Sequence, residues 1–112
     1  MTMNILTVFI NNEIALEFDK SLTLEDLQLT FLDRMDADMD KGIKIRGELL
    51  KHPDSQQRTI FVAMNLIKAL QQDNDAAKTA SCAYLVNRHP DLLEVHANDQ
   101  GSVVDIEFVR LN

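Results

Sequence analysis

Residues Ile5 to Phe18 read ILTVFINNEIALEF. Two runs rich in β-branched and aromatic residues, Ile5 to Ile10 and Glu13 to Phe18, flank Asn11 and Asn12, and asparagine tolerates the positive φ that a two-residue hairpin turn demands. The second run alternates, placing Ile14, Leu16 and Phe18 on one face and Glu13 and Glu17 on the other. A similar pattern returns at the far end. Leu93 and Val95 alternate with Glu94 and His96, Asn98 to Gly101 supply a turn, and from Val103 to Leu111 the residues Val104, Ile106 and Phe108 oppose Asp105 and Glu107. Two terminal hairpins around a helical middle predict an α+β fold, in which two β-hairpins form one antiparallel sheet with about three helices packed on it. Leu16, Phe18, Val95, Ile106 and Phe108 are its expected core.

Thr23 to Asp26 read as a capping box, and apolar residues follow at Leu24, Leu27, Phe31, Met35 and Met39, so a first helix starts there and stops near Gly42. Ile43 to Lys51 stays open between two forms: Ile43 and Ile45 alternate as in a strand, whereas Glu48, Leu49 and Leu50 suit a turn of helix. Asp54 with Gln57 offers a second cap for a helix over Gln57 to Gln71. Its apolar residues sweep about 200°, wider than a one-sided stripe, so cover is expected on both flanks, from this chain or a second copy. A third helix, Ala76 to Arg88, carries a ridge of Ala76, Ala80 and Ala83 that suits close antiparallel packing against the second.

With 112 residues, 46% of them hydrophobic, the chain makes a single domain spanning 1–112. Eleven Lys and Arg against eighteen Asp and Glu leave a net charge of -7, which repels phosphate backbones and argues against nucleic acid as a partner. Cys82 is the single cysteine and the first base is Lys20, so neither a disulfide nor a signal peptide is expected and the cytoplasm is the expected compartment. No apolar run approaches the roughly 20 residues that span a bilayer, so no membrane contact is expected.

Charge is unevenly spread. Glu25 to Asp40 holds six acids and one base, Arg34, whereas Lys41 to Arg58 holds five bases against Glu48 and Asp54. Asp33, Asp36 and Asp40 share one face of the first helix, a candidate partner-binding acidic face. Asp38 falls on the stripe of Leu27, Phe31 and Met35, where a carboxylate needs a partner such as Arg46. Asp36, Asp38 and Asp40 followed by Gly42 and Glu48 are similar to a calcium loop, but the frame slips by one residue. Lys41 stands at the glycine position and Gly47 at the glutamate position, leaving Asp36, Asp38, Asp40 and Glu48 as weak metal candidates only. The stretch Met35 to Gly42, MDADMDKG, resembles a motif of small uncharacterised bacterial proteins, a resemblance that implies no activity and no site residue.

His-Pro-Asp occurs twice, at His52 to Asp54 and His89 to Asp91. The tripeptide is similar to the loop of J-domain co-chaperones, but the helical context of those proteins is missing, and proline ending one element while aspartate opens the next explains both copies. Lys78 stands one turn from Cys82, while His89 is two turns further on, beyond proton-transfer reach. There is no phosphate-cradling glycine loop and no zinc-ligand spacing. The expectation is a non-enzymatic cytoplasmic protein acting through protein–protein contacts, as a homodimer and without a cofactor. The alternative is a cation- or small-ligand-binding protein using Asp33 to Glu48.

Overall fold

Asn11 and Asn12, at φ 51° and 68°, turn β1 (Ile5–Ile10) into β2 (Glu13–Asp19) as the first hairpin. The computed structural model describes residues 4–20, 26–101 and 104–111. Thr23, Leu24, Glu25 and Val103 lie outside the described residues, as do the side chains of Asp26 and Leu27. After the first hairpin come α1 (Asp26–Asp40), β3 (Ile43–Ile45), β4 (Glu48–Leu50), α2 (Ser55–Gln71), α3 (Asp75–Arg88), β5 (Leu92–Asp99) and β6 (Val104–Arg110).

The four long strands form one sheet in the order β2-β1-β5-β6. Both terminal hairpins are present, but the sheet is mixed rather than antiparallel throughout, because β1 runs parallel to β5. The hairpins join through their first strands, and the chain between those strands crosses over through the helices, the connection a parallel pair requires. Val8 pairs with Leu16 and Val95, and Val95 with Phe108, which gives one continuous row across the sheet. Val8, Val95, Leu6, Leu92 and Ala97 are buried against the helical layer. Leu16, Phe18, Ile106 and Phe108 pack on this core but stay partly exposed, since β2 and β6 are the edge strands.

The register of β2 shifts between the partners of Val8 and Phe9, so that Leu16 and Ile14 pair with these neighbours and Ala15 is the extra residue of a bulge. The bulge breaks the simple alternation. Ile14 leaves the core face for the outer face, where it is 61% exposed.

Ile43 to Lys51 resolves as strand: β3 and β4 form a small separate hairpin whose turn residues, Arg46 and Gly47, stand at φ 53° and 80°. Gly42, at φ 117°, ends α1 where the chain needs the left-handed region. Asp54 and Gln57 close a full capping box on α2, and Asn74 caps α3. Asn74 N–H bonds to the Ala69 carbonyl at one end of the α2–α3 pair, and Thr59 meets His89 at the other, so the two helices run antiparallel. The buried stripe of α3 is Ser81 to Leu85, so of the alanine ridge Ala83 is in the core, Ala80 is half-buried and Ala76 is exposed. Val62 and Leu66 of α2 are fully enclosed by this chain, so the wide apolar arc is no argument for a second copy. Among the described residues no helix is long and apolar enough to cross a membrane.

The inside–outside split sets a test. Leu66→Ala is expected to lower unfolding free energy by about 2–5 kcal/mol in urea titration, while Ile14→Ala stays within about 0.5 kcal/mol because the bulge has already turned it outward.

Candidate functional site

Spacings of three and four put Asp33, Asp36 and Asp40 on one face of α1, and the structure gathers them there. Arg58 lies in the first turn of α2 and Arg88 is the last residue of α3, so the antiparallel pairing brings both guanidinium groups to the same end. Tyr84 Oη donates to Asp36 Oδ1 at 2.5 Å, Arg58 Nη1 to the same oxygen at 3.2 Å, and Arg88 Nε to Oδ2 at 3.2 Å. Arg88 Nη2 also donates to Asp33 at 2.8 Å, and Arg58 Nη2 to Asp40. The acidic face therefore meets the arginines of its own chain.

Only 27% of the Asp36 side chain is exposed. Burial alone pushes its carboxyl up, but the bonds from Tyr84, Arg58 and Arg88 outweigh that and hold it below the usual carboxylate range. For Tyr84, burial and the Asp36 carboxylate both push the phenol up, so it stays a neutral donor at neutral pH. A cleft of about 300 Å³ opens beside these groups, between Pro53, Ser55 and the arginines. Its other walls are Asp36 and Tyr84, and the Tyr84, Arg58 and Arg88 donors that line it are engaged with carboxylates. The arrangement is a clamp. It neutralises acids at a helix C-terminus that has no basic residue in its last turn, where the dipole disfavours negative charge.

Asp38 is placed differently from expectation: its side chain is 77% exposed, 3.8 Å from Lys41, and Arg46 pairs with Asp105 at 2.6 Å instead. The buried line of α1 runs through Leu32 and Met39, seven residues apart, with Asp36 between them, while Phe31 is half-exposed. Of the expected stripe, Met39 is buried and Met35 packs on the core, while Phe31 is turned outward. Asp36 and Asp40 are tied to arginine, Asp38 and Glu48 are exposed, and among the described residues no group of three His, Cys, Asp or Glu is arranged to hold a metal.

The two His-Pro-Asp copies do different work. Asp54 caps α2, whereas His89 ends α3 and Asp91 pairs with Arg110 at 3.2 Å. Thr59 Oγ1 donates to the Ser55 carbonyl at 2.7 Å, so His89 Nε2, 2.6 Å away, carries the hydrogen and donates to Thr59. Burial first, then Arg110, lowers the His89 pKa, with Asp91 opposing. Cys82 is buried and its thiol is pushed up to about 12 by burial, while Lys78 is occupied by Asp75 and Asp73. That excludes an activated thiolate.

Among the described residues, two uncovered surfaces carry large apolar or aromatic side chains. Phe31, 49% exposed, overlooks a groove of about 340 Å³ between α1 and the α2–α3 pair, lined in part by Met35, Ala69, Ala77 and Ala80. On the other side of the molecule, the sheet turns its outer face to solvent. One outer row reads Ile14, Phe9, His96, Glu107 across the four strands, and the next Glu17, Thr7, Glu94, Val109. Phe9 and His96 stack, with ring centroids 4.4 Å apart and planes within 5°, and His96 Nε2 lies 2.7 Å from Glu94. The sequence reading passed over Arg58, Arg88 and Tyr84. The surplus of bases just before and inside the second helix was the one local hint of a partner for the acidic helix.

Comparison with protein-family models, with curated proteins and with solved structures gives no match.

Asp36→Asn is expected to destabilise by about 1–3 kcal/mol, because two guanidinium groups lose their shared acceptor, and Asp38→Asn to stay within about 0.5 kcal/mol. The folded Asp36 value lies below its ordinary 3.8, so its contribution is complete above that pH and is lost as pH falls through the folded value. Acid titration of the Asn variant therefore shows a shallower loss of stability. His89 is lowered from 6.5, and by the same sign its contribution is full above 6.5 and lost as pH falls through its folded value. His89→Gln should remove that part of the decline in melting temperature on going from pH 7 to pH 5.

Proposed function

We propose that the chain is a non-enzymatic protein of the cytoplasm that acts through protein–protein contacts, with a second copy of itself as one partner. The observation that carries this reading is Phe31, a large side chain left half in solvent on the rim of an unfilled, mostly apolar groove. Knob and groove lie side by side on one surface. A twofold arrangement lets each Phe31 enter the groove of the other copy and closes the assembly at two.

Electrostatics favour it as well. Two chains of net charge -7 repel, but Arg58 and Arg88 pair with Asp33, Asp36 and Asp40 away from the groove, and the groove itself is lined by Lys68 and no acid. The unpaired, buried Cys82 suits a reducing compartment. Nucleic acid and membranes are not among the proposed partners, since the net charge opposes both phosphate and anionic lipid.

Light scattering at micromolar concentration is expected to give the mass of two chains for the wild type and of one chain for Phe31→Asp, with a single cooperative melt for the variant that no longer shifts with concentration. A one-chain mass for the wild type at every concentration overturns the self-contact.

A further inference from the structure

We propose that the outer face of the four-stranded sheet docks an amphipathic helix of another protein, with lysines or arginines on both sides of an apolar stripe. This rests on the reading that the chain works through contacts, but uses the face opposite the Phe31 groove. The helices and the core lie on one side of the sheet, and among the described residues no helix or strand packs over the outer face, which Arg46 touches only at Asp105. Down its middle, on β1 and β5, runs the stacked pair Phe9 and His96, with Ile14 beside Phe9 and Val109 beside Glu94. Ile14 and Val109 are 61% and 41% exposed.

Charge selects the occupant. Glu17 on β2 and Glu107 on β6 stand exposed at the two margins, Glu94 lies between them, and the paired positions of this face hold no lysine or arginine. Arg46 reaches it from the β3–β4 hairpin, to Asp105. Ile14, Phe9 and Val109 thus interleave with Glu17, Glu94 and Glu107, and such a partly apolar, acidic face complements an apolar stripe flanked by cations, while the negative field steers such a partner in.

Geometry favours a helix over a strand. A sheet face offers side chains but no free backbone donors or acceptors, so an added strand would gain its ladder only at an edge. A helix satisfies its own backbone. Four strands spaced about 4.8 Å give a platform about 15 Å wide, and a helix with its side chains is about 10–12 Å across. The layer rule that placed α2 and α3 on the inner face applies equally to the outer one.

The test uses a fluorescently labelled Leu/Lys amphipathic peptide and its Leu/Glu counterpart, read by anisotropy with the full chain. The Leu/Lys peptide is expected to bind at low salt and weaken as salt rises, and the Leu/Glu peptide not to bind. Glu17→Lys with Glu107→Lys should weaken binding by about tenfold or more, whereas Asp38→Lys with Glu48→Lys, the same charge change elsewhere, should shift it less than about twofold. Amide shifts should centre on Thr7, Phe9, Glu94 and His96. Failure of the peptide to bind overturns the proposal. Equal losses in the two double variants, or shifts centred on α1, also overturn it. A wild-type dimer that ignores the peptide leaves the self-contact standing, and a peptide-binding monomer leaves this docking face standing alone.

Discussion

The pairing of β1 with β5 is the contact on which the architecture depends. Without it there are two separate hairpins, each too small to be stable in water. With it, Val8 and Val95 meet at the centre of a four-stranded platform and both are lost to solvent. Because the pair is parallel, the intervening chain has to cross over, and that crossover lays α2 and α3 on one face. The sidedness of the protein follows: a dry inner face bearing Leu6, Val8, Val95 and Ala97, and an outer face that the chain leaves to solvent.

α1 is held by different forces. It buries Leu32 and Met39, but its neighbouring face is a row of acids, and apolar area alone would fix its tilt poorly. Asp36 supplies the missing direction. A carboxylate that accepts from Tyr84, Arg58 and Arg88 at once has few orientations open to it, and its bonds link α1 to both members of the helical hairpin. The stretch MDADMDKG thereby gains a structural account: Met35 and Met39 pack, Asp36 and Asp40 clamp, Asp38 is exposed, and Gly42 turns the chain out of the helix.

Local chemistry was the legible part of the sequence. Asn11 and Asn12, the Asp54 and Gln57 box, and Gly42 each act within a few residues, and each marked its element correctly. Long-range choices were not legible. Nothing in the composition of β1 or β5 distinguishes a parallel partner from an antiparallel one, and the Ala15 bulge that moved Ile14 outward leaves the alternation of its strand intact on paper. Asp38 and Asp36 were exchanged in role for a related reason. A helical wheel weighs each residue by its polarity, but the inner face of α1 was set by arginines that arrive from positions 58 and 88.

The β1–β5 junction also shapes how the chain reaches its fold. Val8 and Val95 are separated by most of the sequence, so their meeting closes a very long loop before any reward from the sheet arrives. The hairpins and the α2–α3 pair are local and form quickly, whereas the sheet has to wait for both ends of the chain. During synthesis the N-terminal hairpin therefore leaves the ribosome with Leu6 and Val8 uncovered and an unpaired strand edge, and it stays so until the last strands emerge. For that interval the nascent chain has the surface of an aggregation-prone intermediate, and its safety depends on the speed of translation and on chaperones rather than on the stability of the finished fold.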